Sequence, residues 1–156
     1  MIEVVRSGTR FTAHDAGGEL WSVELGDGRD GNPFREAVHW PAAGVVAIGL
    51  DQRVVFVAAD SGMVVSTLTL GTPDGGDFFG HLAIGDDATL YVLGWRDVVA
   101  VAPTRAVRWI ARGVAIDGII WREQRGDHLL LDAEMDPPGG WVSVVLDATT
   151  GRPVER

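Results

Sequence analysis

The sequence predicts an all-β chain of about four repeats, each built from four antiparallel strands. Three observations carry this expectation. The apolar residues fall in short runs of β-branched and aromatic type, separated by Gly, Asp, Asn and Pro. Few windows sustain the period of an amphipathic helix. The turns that end the apolar runs recur 45, 43 and 46 residues apart, at Gly17, Gly62, Arg105 and Gly151. The 156 residues suit one domain, and 46% hydrophobic against 22% charged residues supply a core for it.

Taking each turn as an anchor gives the strands in order. Six positions before it stand Phe11, Phe56, Val99 and Val145, and four before it Ala13, Ala58, Val101 and Asp147, so three copies keep two apolar side chains on one face of a strand. Two before it come Asp15, Asp60, Pro103 and Thr149, residues that turns favour. Four after it come Trp21, Ser66, Trp109 and Glu155. Upstream of each such strand lies another apolar run, at 2–5, 45–48, 90–93 and 129–131. A further strand precedes these at 37–40, 79–84 and 116–121, and an outer strand follows the anchors at 20–25, 64–70 and 107–111. The approximate repeats are 1–34, 35–77, 78–112 and 113–156. Four strands in about 44 residues is the period of a β-propeller blade, whose sheet hides its apolar face against the next. An antiparallel sandwich or barrel with similar hairpins is the alternative.

The runs Asp147-Ala148-Thr149-Thr150-Gly151-Arg152, Ala13-His14-Asp15-Ala16-Gly17-Gly18-Glu19-Leu20-Trp21 and Ala88-Thr89-Leu90-Tyr91-Val92 resemble the repeats of quinoprotein-like (pyrroloquinoline-quinone-type) β-propellers, whose blades carry the pattern A-x-D-x-x-T-G-K-x-x-W. The resemblance implies a propeller in which the tryptophan docks one blade on its neighbour. Trp21 and Trp109 match that position, whereas Glu155 stands there in the fourth copy and Arg105 replaces the glycine in the third. Four repeats are half the eight blades of those enzymes, and a chain without cysteine cannot supply their vicinal cysteine pair. No cofactor is expected. The first repeat begins at its second strand and the last ends in a weak strand containing Pro153. Either the C-terminus completes the first blade, or a second copy of the chain completes a ring of eight.

A net charge of −9 argues against nucleic acid or an anionic membrane as partner and would steer a basic protein inward. Many aspartates stand beside glycines, where turn chemistry explains them. All thirteen basic residues are arginine, as in a GC-rich bacterial genome. No apolar run approaches a membrane span, and the alternating N-terminus lacks the apolar core of a secretion signal, so the expected location is the cytoplasm.

Chemistry-bearing residues are sparse. His39 and His81 fall on corresponding strands of neighbouring repeats, where they could face a central channel and bind a metal or act as a base, or simply bond to backbone. With Glu36, Asp77, Asp117 and Asn32 as acid and amide candidates they define one alternative, a metal-dependent hydrolase or lyase. The segment 27–32 has the composition of a calcium loop without its spacing. The stretch 96–125 holds six arginines against three acids and could be an anion-recognising face or one solvated sheet face. Among six tryptophans, Trp40, Trp95, Trp121 and Trp141 lie near strand ends, where exposure would mark an interface. The candidate binding residues are therefore His39, Trp40, His81 and Trp121, with no catalytic residue and no metal ligand assigned. The expected function is a non-catalytic scaffold that binds a protein partner through loops or edges; an acidic inhibitor of a basic toxin or enzyme is a further alternative.

Overall fold

The computed structural model describes residues 1–26 and 33–155, and shows a β-propeller-like arc of four small antiparallel sheets. The first blade holds β1 (Glu3–Ser7), β2 (Arg10–Asp15) and β3 (Gly18–Glu24). The second holds β4 (Glu36–Trp40), β5 (Val45–Leu50), β6 (Arg53–Ala58) and β7 (Val64–Thr69). A two-stranded ribbon, β8 (Gly71–Thr72) with β9 (Gly75–Gly76), leads to the third blade: β10 (Phe79–Ile84), β11 (Leu90–Gly94), β12 (Val98–Val101) and β13 (Val107–Ala111). The fourth holds β14 (Ile119–Arg125), β15 (His128–Glu134) and β16 (Trp141–Asp147). A 3-10 turn, Pro41–Ala43, closes on Gly44 between β4 and β5.

Each sheet is a meander of sequential strands, because short hairpins make the antiparallel neighbour the nearest partner. The blades stack in chain order through their inner strands, β1 beside β4, β4 and β5 beside β10, and β10 and β11 beside β14. Each junction encloses its own apolar core. Phe11, Ala13, Ile48 and Val55 fill the first, Phe56, Phe79, Leu90 and Val99 the second, and Tyr91, Leu93, Leu129 and Leu131 the third. The middle blades are covered on both faces, so β5 and β12 are buried at every position. In the end blades β2 and β15 alternate, and their outward faces carry the Thr12–Ser22 contact and the Arg10–Glu24 and Arg122–Asp132 pairs.

Two expectations are corrected here. The inner strand of the fourth blade runs over Ile119–Arg125, three residues later than the 116–121 read from apolar residues. The C-terminus does not reach the first blade. Val154 donates to the Val145 carbonyl at 2.8 Å and Pro153 bridges Leu146, which adds a short fourth strand to the last blade and leaves the first with three.

One tryptophan clips each junction. Trp21 donates its indole N–H to the Ala59 carbonyl of the second blade at 2.8 Å, and Trp109 donates to Ala148 of the fourth at 2.9 Å. Both carbonyls lie three residues before an anchor glycine, and the rings lie on those glycines. A Cβ would stand 2.7 Å from the Trp21 ring at Gly62 and 2.3 Å from the Trp109 ring at Gly151. Ser66 occupies the corresponding place in the second blade, and the third anchor is Arg105, held at φ 70. There Trp40 supplies the clip from the inner strand, donating to Ala88 at 2.8 Å.

Gly62→Ala and Gly151→Ala meet both a left-handed backbone and a ring, so each is expected to lower stability by about 2–4 kcal/mol. Gly113, also left-handed but with nothing within 4 Å of its missing Cβ, supplies the control. Its alanine variant should lose only about 1 kcal/mol. Urea denaturation of the three variants measures the difference.

Candidate functional site

The strand ends that receive the connections between blades form one face of the arc, and there the third and fourth blades part to leave a cleft of about 600 Å³. Aromatic side chains dominate its wall: Phe34 from the segment before β4, Trp95 from the β11–β12 turn, Trp121 from β14 and Trp141 from the start of β16. Phe34 is 50% and Trp141 46% exposed, although both are large apolar groups. Trp121 stacks on the buried Tyr91, ring centroids 5.5 Å apart, and Tyr91 in turn lies 6.0 Å from Trp109. Burial pushes the Tyr91 phenol up to about 12, so this middle ring stays uncharged. Trp95 meets Phe34 edge-on at 6.1 Å and Phe78 at 4.8 Å. Gly118 opens the floor, since a Cβ there would lie 3.2 Å from the Trp141 ring.

Three carboxylates shape the surroundings in different ways. Asp77 is 3% exposed and accepts backbone N–H bonds from Trp95, Arg96 and Asp97 at 3.0 to 3.3 Å, which fixes the turn that carries Trp95. Burial raises its carboxyl above the usual 3.8, and the hydrogen bonds from Asp97 and Arg96 oppose that rise. Glu134 accepts the Gly139 N–H at 2.6 Å through Oε1. Asp117 is exposed and, among the described residues, makes no ion pair.

Of the four expected binding residues, the structure brings His81 and Trp121 into this cleft. His81 Nδ1 lies 2.7 Å from Glu36 Oε2, and the same oxygen accepts the Leu82 N–H at 3.0 Å, so Glu36 ties β4 to β10. His39 sits on β4, half-buried, and burial lowers its pKa below 6.5, with the N-terminal charge adding to the effect. Trp40 is corrected as a binding residue. It is fully buried at the far end of β4 with its indole N–H engaged by Ala88, and it offers a partner no surface. Phe34, Trp141 and Glu134 join the site without having been nominated as binding residues. Exposed strand-end tryptophan was the available signal for Trp141.

The acids nominated as metal ligands do not converge. Glu36 bonds to His81, Asp77 to backbone, and Asp117 stands apart, while Asn32 and the segment 27–32 lie outside the described residues. Among the described residues no group of three His, Asp or Glu could hold a metal ion. Four of the six arginines in the stretch 96–125 are paired with acids, two of which lie outside it. Arg108 bonds to Asp87 and Thr89, Arg112 to Asp97, Arg122 to Asp132 and Arg125 to Glu123, which is the pattern of solvated strand faces.

No family model and no curated protein sequence matches the chain. Among solved structures it is similar to BamB from Moraxella catarrhalis, a β-propeller, with a TM-score of 0.68 and 14% identity over 99% of this chain and 48% of that one. It is also similar to a protein of unknown function from Bacteroides caccae, with a TM-score of 0.56 and 14% identity over 99% of this chain and 56% of that one. The chain thus spans about half the length of these structures, and at this identity the likeness is one of fold.

Replacing Asp77 by alanine leaves three backbone donors without their acceptor. We expect a loss on the order of 3 kcal/mol and a shifted Trp95 indole resonance, read by denaturation and NMR. His39 titrates below its unfolded value of 6.5, so its contribution to stability is full above that pH and is lost as pH falls through the folded value. His39→Gln should therefore flatten the decline in melting temperature on acidification below about pH 6.5, measured against the parent chain.

Proposed function

We propose that the protein is a non-catalytic binding module of quinoprotein-like propeller type, which receives a protein partner in the aromatic cleft between its third and fourth blades. The observation that carries this reading is the exposed aromatic wall. Phe34 and Trp141 are half exposed to water and lie beside Trp95 and Trp121 in one concave site. Large aromatic rings gathered at a concave surface are the usual anchors of a protein interface. Their support is rigid, because Asp77 holds the Trp95 turn and Tyr91 backs Trp121. A preorganised wall loses little conformational entropy on binding.

The outward faces of the end blades fit a different role. The Arg10–Glu24 and Arg122–Asp132 pairs and the Thr12–Ser22 contact put polar groups on them, and the exposed apolar residues beside these, Val5, Leu20 and Ile120, are aliphatic. The cleft, not these faces, is thus the surface proposed for the partner.

The test is photo-cross-linking in the cells that encode the protein. With a benzophenone amino acid at position 141, a discrete protein adduct should form, and Trp121→Ala should suppress it. The same probe at Leu20, 39% exposed on the first blade, should give none. Adducts at position 20 with none at 141 would refute the assignment of the cleft.

A further inference from the structure

We infer that the cleft takes the guanidinium group of an arginine presented by a basic segment of the partner. This rests on the cleft being the partner's site, as proposed above, and adds the chemistry of what enters it. The first ground is the distribution of charge. The chain carries thirteen basic residues, all arginine, and four other clefts on the described surface each contain at least one: Arg108 in one, Arg96 and Arg112 in the next, Arg53 in a third, and Arg112 and Arg152 in a fourth. The aromatic cleft contains none, yet Asp117 and Glu134 line it.

The second ground is how those carboxylates are engaged. Several acids of this chain are paired with arginine, Asp87, Asp97 and Asp132 among them. Asp117 and Glu134 have no such companion among the described residues. Glu134 receives one backbone N–H through Oε1. Its Oε2 lies 3.4 Å from where a Cβ on Gly118 would stand, on the floor beneath the Trp141 ring. Two carboxylates thus line the cleft beside Trp121 and the half-exposed Trp141.

A planar, weakly hydrated cation fits that combination better than any neutral or anionic group. Guanidinium stacks on an aromatic face while its fork of donors reaches carboxylate oxygens in plane. Lysine could use the charge but not the stacking. The net charge of −9 would draw such a segment toward the protein at long range.

The experiment uses the whole chain and two peptides, acetyl-Gly-Arg-Gly-Arg-Gly-amide and its counterpart with citrulline at both arginines, which keeps the shape and removes the charge. Binding is followed through the indole N–H resonances of Trp121 and Trp141. The arginine peptide should shift both saturably, and the citrulline peptide should bind about tenfold more weakly or less. The double variant Asp117→Asn with Glu134→Gln should weaken the arginine peptide by a similar factor and leave the citrulline peptide unchanged, and Trp141→Ala should weaken both. Equal binding of the two peptides, or an arginine affinity indifferent to the carboxylate variant, would overturn the cationic assignment while the cross-link at position 141 kept the cleft as the partner's site. Shifts from neither peptide would overturn it as well, and only loss of the cross-link would remove the underlying reading.

Discussion

A single directional contact at each blade junction, an indole N–H donated to an alanine carbonyl in a turn of the next blade, sets the geometry on which the arc depends. Hydrophobic burial between two sheets is roughly proportional to area and indifferent to register, so it pulls the blades together without fixing how they slide. Trp21 on Ala59, Trp40 on Ala88 and Trp109 on Ala148 each remove that freedom. Each bond also satisfies an indole donor that would otherwise be buried unpaired. The anchor glycines follow from it, because the clips at the first and third junctions lay a ring where a Cβ would stand. The second junction shows the constraint from the other side. Ser66 supplies no ring, Arg105 carries the left-handed turn in place of glycine, and the indole arrives from Trp40 on the inner strand.

The patterning of the strands records which sheet faces are covered. In β5 and β12 every residue is buried, because a blade in the middle of the arc has a neighbour on both faces. In β2 and β15 burial alternates with the period of a strand that has one wet face. The polar pairs on those wet faces are ordinary surface contacts of small individual energy. They share those faces with apolar groups, since Val5 and Leu20 on the first blade and Ile120 on the fourth are exposed beside them.

Much of this architecture was legible in the residues. The recurring turns at Gly17, Gly62, Arg105 and Gly151 gave the repeat, and the aspartates before them do bond backbone N–H groups, as Asp15 does to Gly17 and Asp147 to Thr149 and Thr150. What was misread has a common cause. An apolar run marks a strand only where both halves are covered, whereas the second half of β14, Arg122–Arg125, in an end blade, is polar and largely exposed. Of the two ways the sequence leaves for covering the open edge, the C-terminus takes neither the first blade nor a distant strand but the free edge of the adjoining β16, one turn away, with less chain to order. At the site, Trp40 and Trp141 looked alike as strand-end tryptophans. Only the packing decides between them: Trp40 turns into the second core, while Trp141 opens β16 at the rim. Phe34 and Glu134 were invisible as site residues because the cleft gathers them from separate blades and no local spacing links them.

The cleft and the third junction are one construction. Trp109 clips the fourth blade through Ala148, its ring lies beside Tyr91, and Tyr91 stacks on Trp121, whose other surroundings form the cleft wall. The same row of rings therefore closes the junction at one face of the arc and lines a concavity at the other. Trp121 cannot move inward to hide its ring, since the buried Tyr91 ring already stands behind it. The half-buried indole of Trp121 is thus a consequence of how the last two blades dock. Asp117 and Glu134, which line the same cleft, place negative charge beside these rings, and that combination disfavours anions there.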